Sequence, residues 1–217
     1  MFTNIKLIIF DLDGTLCDTL IDLTDSVNFS LSKHNLPNKT LEYIKNAIGN
    51  GVEVLISRCV ENGFKHPKYL EILSDFRTHY LSNYLNKTIP YEGVIDTLIS
   101  LKEKGYLLTV CTNKLHEAAI EIVNHFFTNL FDLILGSKPS LKKKPDPQMI
   151  HFILKELSIS ESEALYVGDT NVDYEVAKNS NVDLVLVSYG YRKKDFLTNI
   201  DRESIVIDKI NDLLSYL

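Results

Sequence analysis

The sequence predicts an α/β fold: a doubly wound parallel sheet with an all-helical insertion. Two observations predict the sheet, since short apolar runs recur along most of the chain and helical patterns separate them. Continuous apolar runs of this length suit parallel strands that are covered on both faces. A third observation predicts the insertion, because repeated helical patterns and no convincing strand occupy the stretch from Cys17 to Leu85.

The first predicted strand is Ile5–Phe10, in which Ile, Leu and Phe follow one another. The later predicted strands are Leu107–Thr112, Phe131–Leu135, Ala164–Val167, Leu184–Val187 and, as a short edge strand, Ser204–Ile207. The predicted helices between them are Val94–Lys104, Glu117–Phe127, Gln148–Leu157 and Asp173–Asn179. Gly105 stands where it would end the first of these helices, because glycine accepts the left-handed conformation common at a helix C-terminus.

The predicted insertion follows directly after the first strand. Apolar residues recur there at helical spacing in four successive stretches. The segment "NKTIPYEG", residues 86–93, contains the Pro and Gly that mark the return to the sheet. We therefore expect one domain from residues 1–16 and 87–217, and a smaller helical domain from residues 17–86.

Composition excludes several classes of protein. The chain has 217 residues, a net charge of -6 and no long run of Lys or Arg, so we expect no nucleic-acid partner. No apolar run has membrane-spanning length and no secretory signal pattern precedes the first strand, so we expect no membrane partner. The three cysteines form no disulfide framework or CxxC pair. We expect a reduced, cytoplasmic protein that is a monomer or a homodimer.

Polar side chains follow the predicted strands at their carboxyl ends. They are Asp11 and Asp13 after the first strand, Thr112 and Asn113 at the second, Lys144 after the third, and Asp169 and Asp173 after the fourth. Ligands of open α/β sheets bind beyond these strand ends, so we expect the side chains to converge. Crowded carboxylates repel one another, and a divalent cation that prefers oxygen ligands, such as Mg²⁺, relieves this repulsion.

Mg²⁺ and Lys144 together would offer a place to a phosphoryl group. An Asp carboxylate could then attack phosphorus to form an aspartyl-phosphate, and Asp13 could protonate the leaving oxygen and later activate water. A simpler interpretation is that Asp11 and Asp13 only cap a turn and that Asp173 is a first-turn helix acid. Lys142, Lys143 and Lys144 could likewise form a solvated loop.

Four motifs resemble those of the haloacid-dehalogenase-like hydrolases, in the order typical of that family. They are "DLDGTL" (Asp11–Leu16), "TNK" (Thr112–Lys114), "KPDP" (Lys144–Pro147) and "GDTNVD" (Gly168–Asp173). The resemblance implies a Rossmann-like core with a small helical cap domain inserted after the first motif. Pro145 selects Lys144 among the three adjacent lysines, since the family pattern is Lys-Pro.

The resemblance also implies roles for the site residues. Asp11 would be the nucleophile, and Asp13 the general acid and base. Thr112, Lys144 and the backbone N–H of Asn113 would bind phosphate. Asp11, Asp13 through its backbone carbonyl, Asp169 and Asp173 would hold Mg²⁺, the last directly or through water. Asp13 favours a phosphatase, since the dehalogenases of the family usually lack this second acid.

Finer segments resemble the phosphoglycolate phosphatase branch of the family. They are "IGNGVEVLI" (Ile48–Ile56), "YEGVIDTLISLKEKGYLLTVCTNK" (Tyr91–Lys114) and "SYGYR" (Ser188–Arg192). The implied substrate is a small phosphorylated metabolite, with 2-phosphoglycolate as the first choice. Pyrophosphatases, sugar phosphatases or phosphomutases, and nucleotidases of the same family share much of the pattern.

Two questions stay open at the level of sequence. Asn50, in a Gly-Asn-Gly break, could dip toward the substrate or could belong to a simple helix–helix turn. Arg58 could pair with a substrate carboxylate or could be a surface charge. A receiver-type signalling domain that accepts phosphate is the rival from another class, although the helical insertion and the Gly14-Thr15 turn argue against it.

Overall fold

The computed structural model describes residues 2–217 and contains a six-stranded parallel sheet in the order β5-β4-β1-β6-β7-β8. The strands are β1 (Leu7–Phe10), β2 (Cys17–Asp18), β3 (Ile89–Pro90), β4 (Leu107–Leu115), β5 (Leu133–Ser137), β6 (Ala164–Gly168), β7 (Asp183–Val187) and β8 (Ile205–Ile207). The predicted parallel α/β sheet is confirmed.

Strand β1 lies at the centre of the sheet, between β4 and β6. All four of its side chains are fully buried. Ile8 and Phe10 join the apolar cluster on one face, whereas Leu7 and Ile9 join the cluster on the other. This alternation explains the uninterrupted apolar run in the sequence, because helices cover both faces of the sheet.

The helices alternate with the sheet strands after residue 94 and occupy the insertion before it. They are α1 (Leu20–Lys33), α2 (Leu41–Ala47), α3 (Val52–Cys59), α4 (Tyr69–Leu81), α5 (Val94–Glu103), α6 (His116–Phe126), α7 (Gln148–Leu157), α8 (Asn171–Ser180) and α9 (Lys194–Ile200). Short 3₁₀ helices occupy Gly63–Lys65, Glu161–Glu163 and Ile210–Ser215. No helix within residues 2–217 is long and apolar enough to cross a membrane.

Helices α1 to α4 pack around an apolar cluster of their own. Val27, Ile44, Ile56 and Phe76 are fully buried in it. Each of the four helices thus turns its apolar stripe inward, as the spacing predicts. The domain boundaries at residues 16/17 and 86/87 stay a prediction.

A two-stranded ribbon connects the insertion to the sheet. β2 pairs with β3 in antiparallel orientation, so the expectation of no strand after residue 16 is wrong at Cys17–Asp18. Two-residue strands are too short to show a period in the sequence. Beside the ribbon, Asp22 Oδ2 accepts hydrogen bonds from the backbone N–H groups of Lys87 (3.0 Å) and Thr88 (2.9 Å). These bonds fix the returning chain against α1.

Strand β4 is longer than the predicted Leu107–Thr112. It continues to Leu115, and its pairing with β5 shifts between Cys111 and Leu115. Asn113 and Lys114 therefore lie in the irregular end of a strand, where both side chains are buried. The chain stays extended at this polar end because the side chains of Asn113 and Lys114 are buried.

Candidate active site

Asp11 follows β1 and lies at the carboxyl edge of the sheet, where it is 7% exposed. Its Oδ1 accepts a hydrogen bond from the N–H of Leu12 (2.7 Å) and lies 3.1 Å from Nζ of Lys144. Within residues 2–217, no hydrogen bond reaches its Oδ2. Burial raises the pKa of Asp11 to about 7, although Lys144 opposes this effect.

Lys144 brings its ammonium to the same place from the loop after β5. Nζ lies 2.8 Å from Oδ1 of Asp173 and donates to the hydroxyl of Tyr166 at 2.7 Å. Burial by itself lowers the pKa of Lys144, but the carboxylates of Asp11 and Asp173 outweigh burial and raise it. The ammonium is therefore charged and ties two of the acids together.

Asp173 is held by the start of α8. Its Oδ2 accepts hydrogen bonds from Oγ1 (2.7 Å) and N (3.0 Å) of Thr170 and from N of Asp169 (3.2 Å). Burial raises the pKa of Asp173, but Lys144 and Thr170 outweigh burial and lower it. The helix begins at Asn171 and not at the predicted Asp173, because Thr170 and Asp173 together cap its first turn.

Asp169 directly follows β6 and is fully buried. Its Oδ2 accepts a hydrogen bond from N of Tyr191 (2.7 Å), and its Oδ1 accepts one from Oγ1 of Thr15 (3.3 Å). The backbone of Gly14 packs directly on this carboxylate: a Cβ at Gly14, where φ is +87°, would lie 2.3 Å from Oδ2 of Asp169. Only glycine fits this position in the first motif.

Asp11, Asp169 and Asp173 form a compact acid group. Each offers a carboxylate oxygen, and these oxygens lie within 4.8 Å of one another. Lys144 supplies one positive charge to three carboxyl groups. Burial, Asp173 and Asp11 raise the pKa of Asp169 well above its usual range, and the N–H of Tyr191 and the charge of Arg192 offset this rise only in part. An oxygen-only donor set with excess negative charge fits a hard divalent cation.

The carboxylate of Asp13 lies apart from this acid group. It accepts hydrogen bonds from Oγ1 of Thr19 (2.6 Å) and Nζ of Lys114 (2.7 Å). The side chain thus contacts Thr19 at the start of the insertion and Lys114 at the end of β4. A metal bond from the Asp13 backbone carbonyl stays a prediction.

Thr112 and Asn113 lie at the end of β4 with different contacts. The backbone N–H of Lys114 donates to Oγ1 of Thr112 at 3.3 Å. The Asn113 side chain bridges three segments: Nδ2 donates to the carbonyls of Lys144 (2.8 Å) and Gly49 (3.0 Å), and Oδ1 accepts from N of Lys144 (2.8 Å). Asn113 therefore positions the loop of Lys144, while the phosphate-binding roles stay predictions.

A cavity lies between the insertion and this edge of the sheet. Asp11, Asp13, Thr112, Asn113 and Lys114 line its floor, and the insertion covers it with mostly apolar residues. Lys114 and Tyr80 were not among the predicted site residues. The "TNK" motif carried a signal for Lys114, whereas Tyr80 looked like any apolar-face residue of a helix.

Asn50 and Arg58 lie away from the lining of that cavity. Arg58 donates to the carbonyl of Ala47 (2.7 Å) and to Oδ1 of Asn50 (3.0 Å). Both residues line a separate, open groove beside Arg192. Their assignment to the substrate stays a prediction that the geometry does not favour.

Polar contacts hold the insertion on the sheet edge. Arg192 donates to the carbonyls of Lys45 (2.8 Å) and Ile48 (3.2 Å) at the end of α2. Lys143 forms an ion pair with Glu53 of α3. Since Asn113 also bonds Gly49, three segments of the sheet domain contact the insertion.

Comparison with known proteins identifies the family. The family model described as "Haloacid dehalogenase-like hydrolase" matches residues 8–187. The chain belongs to this family. The resemblance carried by the four ordered motifs is therefore confirmed.

The sequence match to individual relatives covers most or all of the chain. The phosphoglycolate phosphatase of Aliivibrio fischeri is 32% identical over 224 residues, covering 100% of this chain and 98% of the relative. That of Aquifex aeolicus is 35% identical over 189 residues, covering 87% of each. The full-length match extends the similarity beyond the sheet domain to the insertion.

Solved structures of this hydrolase family share the fold. A protein described as a predicted phosphoglycolate phosphatase from Haemophilus somnus aligns with a TM-score of 0.91 and 31% identity, covering 99% of this chain and 98% of that one. A structure from Lactobacillus delbrueckii subsp. bulgaricus aligns with a TM-score of 0.91 and 29% identity over 99% of this chain and 98% of that one. The sheet and the helical insertion therefore have the arrangement of these hydrolases.

Proposed function

We propose that this hydrolase is a magnesium-dependent phosphatase that cleaves 2-phosphoglycolate through an aspartyl-phosphate on Asp11. One observation carries the chemistry: Asp11 lies buried beside Lys144 in a group of three carboxylates, with its Oδ2 free of hydrogen bonds from residues 2–217. A fixed carboxylate beside one ammonium and a cation site is the arrangement that in-line attack on a phosphoryl group requires.

The residues suited to hold Mg²⁺ are Asp11, Asp169 and Asp173, with the backbone carbonyl of Asp13 as a further ligand. The support is the oxygen-only donor set of three buried carboxyl groups whose oxygens lie within 4.8 Å of one another. When bound, the ion supplies positive charge that offsets the negative charge of the phosphoryl oxygens.

The first half of the reaction transfers the phosphoryl group from the substrate to Asp11. Oδ2 of Asp11 attacks phosphorus and the bond from phosphorus to the ester oxygen breaks. Asp13, which enters this step as the carboxylic acid, gives that oxygen its proton and becomes a carboxylate. Lys144 and the hydroxyl of Thr112 stabilise the equatorial oxygens. This electrostatic stabilisation accounts for most of the rate.

The second half releases phosphate. Asp13, now a carboxylate, takes a proton from water, which attacks phosphorus and breaks its bond to Asp11. The products are inorganic phosphate and a regenerated Asp11 carboxylate. The insertion covers the cavity during both steps, which keeps bulk water from the acyl-phosphate.

The substrate assignment rests on the full-length relatives, which are phosphoglycolate phosphatases. Pyrophosphate, sugar phosphates, including a phosphomutase reaction, and nucleotides are the competing substrates within the family. We further propose that the enzyme is cytoplasmic, which is supported by its three buried and unpaired cysteines. We also propose that it is a monomer or a homodimer.

A panel assay tests the assignment. Release of inorganic phosphate is measured with Mg²⁺ for 2-phosphoglycolate, pyrophosphate, glucose 1- and 6-phosphate and a nucleoside monophosphate. We expect the highest kcat/KM for 2-phosphoglycolate, and a higher value for any other compound contradicts the assignment. A long-lived phosphoprotein without phosphate release would instead indicate the receiver-type alternative.

A further inference from the structure

We propose that Lys114 and Tyr80 form a receptor for the carboxylate of the leaving group and thereby select 2-phosphoglycolate. The inference rests on the proposed function and adds the residues that set its specificity. Both line the cavity as neighbours, Lys114 from the end of β4 and Tyr80 from α4 of the insertion.

Lys114 is a buried cation with an incomplete set of partners. Its side chain is 2% exposed, and Nζ donates one hydrogen bond, to Oδ1 of Asp13 at 2.7 Å. An ammonium has three donors, and its further polar neighbour within residues 2–217 is the Tyr80 hydroxyl, so at least one donor is left. The face of the Tyr80 ring lies 4.8 Å away and offers a weaker contact. Nζ therefore has hydrogen-bonding capacity left inside the cavity.

Tyr80 supplies a second unused donor. Its side chain is fully buried, and its hydroxyl forms no well-aligned hydrogen bond in the described part of the chain, although it lies beside the ammonium of Lys114. The ring stacks on Phe76 with 5.5 Å between centroids, so the side chain is fixed by packing. Burial raises the pKa of Tyr80 far above its usual range, which keeps the hydroxyl protonated and able to donate. A buried donor without a partner is costly, and an anion at this point would remove that cost.

The other cations near the cavity are engaged. Lys144 binds Asp11 and Asp173, Lys143 pairs with Glu53, and Arg192 binds backbone carbonyls of the insertion. Among the described residues, Lys114 is the one Lys or Arg that lines the cavity, and it forms no ion pair with Asp11, Asp169 or Asp173.

The position of Lys114 also matches the shape of the substrate. In 2-phosphoglycolate a single methylene separates the ester oxygen from the carboxylate. Asp13 is the residue proposed to protonate that ester oxygen, and Nζ of Lys114 lies 2.7 Å from its carboxylate. A substrate whose ester oxygen faces Asp13 therefore brings its carboxylate to Lys114. Arg58, the earlier candidate for this contact, lies outside the cavity lining.

The test compares 2-phosphoglycolate with ethyl phosphate, in which a methyl group replaces the carboxylate. The measured quantity is the ratio of the two kcat/KM values, for the native protein and for Lys114→Met, Tyr80→Phe and the control Tyr69→Phe. Tyr69→Phe also removes one tyrosine hydroxyl from the insertion, but that hydroxyl donates to the carbonyl of Glu53. Thermal unfolding of each variant checks that it folds.

We expect the native ratio to be at least about 100, because a buried polar site rejects an analogue that leaves its donors unpaired. Lys114→Met and Tyr80→Phe should each lower this ratio about tenfold or more, since each removes a hydrogen bond to a charged group. Tyr69→Phe should keep the native ratio. Tyr80→Phe carries the test by itself if Lys114→Met does not fold.

Two results overturn the inference, and they are distinguishable. A high native ratio that both variants retain means that the carboxylate is bound elsewhere, and the proposed function then stands without this receptor. The same conclusion follows if Lys114→Met lowers kcat/KM equally for both substrates, because Lys114 then acts only on Asp13. A native ratio near one means that no carboxylate is recognised, and the proposed substrate fails with the receptor.

Discussion

The ammonium of Lys144 lies 3.1 Å from Oδ1 of Asp11. Both side chains are almost fully buried, and the same ammonium also contacts Asp173. The contact holds one oxygen of Asp11, and the other has no hydrogen bond from residues 2–217, as the proposed attack on phosphorus requires. Lys144 therefore serves both the stability of the acid group and the proposed chemistry.

Removal of Lys144 tests this double role. Lys144→Ala leaves buried carboxyl groups without a counter-charge, which we expect to cost about 3–5 kcal/mol of unfolding free energy. kcat/KM should fall at least about 100-fold, because the positive charge beside Asp11 and the transferring group is lost. Urea unfolding and phosphate release measure the two effects. Lys142→Ala, an exposed neighbour, is the control; equal effects in both variants would contradict the account.

Metal dependence follows from the acid group. We expect activity to disappear after treatment with EDTA and to return with Mg²⁺. Mg²⁺ at one hundred times its dissociation constant should add about 2.7 kcal/mol to the free energy of unfolding. The melting temperature should rise accordingly. Asp169→Asn should abolish this rise, since it removes a ligand. Full activity in EDTA, or an unchanged Mg²⁺ response in Asp169→Asn, would refute the metal role.

The close approach of Gly14 to Asp169 can be tested with Gly105 as the control. Both have positive φ, +87° and +90°, but a Cβ at Gly105 would meet nothing within 4 Å. Gly105→Ala should therefore cost only the backbone strain of about 1–2 kcal/mol. Gly14→Ala carries the same strain and also displaces the Asp169 carboxylate, so its melting temperature should be lower and its activity at least about 100-fold weaker. Similar behaviour of the two variants would show that the contact with Asp169 is unimportant.

The ion pair between Glu53 and Lys143 gives a pH dependence. Burial raises the pKa of Glu53, but Lys143 and Arg77 outweigh burial and hold it below its ordinary value of 4.5. The stabilisation is therefore present above pH 4.5 and is lost as the pH falls through the lower, folded-state pKa. Glu53→Gln should lose at most about 1 kcal/mol at pH 7, because the pair is partly exposed.

Melting temperatures from pH 7 down to pH 3 measure the effect of Glu53→Gln. The difference from the native protein should shrink at the acid end of this range. Glu61→Gln, at an exposed position of the insertion, is the control. A difference that persists at pH 3 would mean that the carboxylate charge is not the cause.

Much of the fold was predictable because its signal is local. β1 is buried on both faces, so its apolar run was unmistakable, and α7 matches the predicted Gln148–Leu157. The ribbon of β2 and β3 was not predictable, since two residues on each side carry no period. α9 was also missed, because a seven-residue helix with one buried side chain, Leu197, shows little amphipathic pattern.

The sequence likewise predicts one part of the candidate site and not the other. Topology places strand ends together, so the convergence of Asp11, Lys144 and Asp169 follows from the sequence pattern. The surroundings of Asp13 do not follow from it, because Tyr80 reaches the cavity through the packing of a separate helical unit. The assignment of Arg58 to the substrate had no such constraint, and its partners lie within the insertion.

Mass spectrometry after a rapid acid quench tests most directly the proposal that Asp11 is the nucleophile. The protein is quenched during turnover of 2-phosphoglycolate with Mg²⁺ and digested, and the peptide that contains Asp11 is analysed. We predict a phosphoryl group on Asp11, and for Asp11→Asn no phosphopeptide, at least about a 1,000-fold loss of turnover and a cooperative melting curve that shows a folded protein. Turnover at the native rate by folded Asp11→Asn protein would contradict the account.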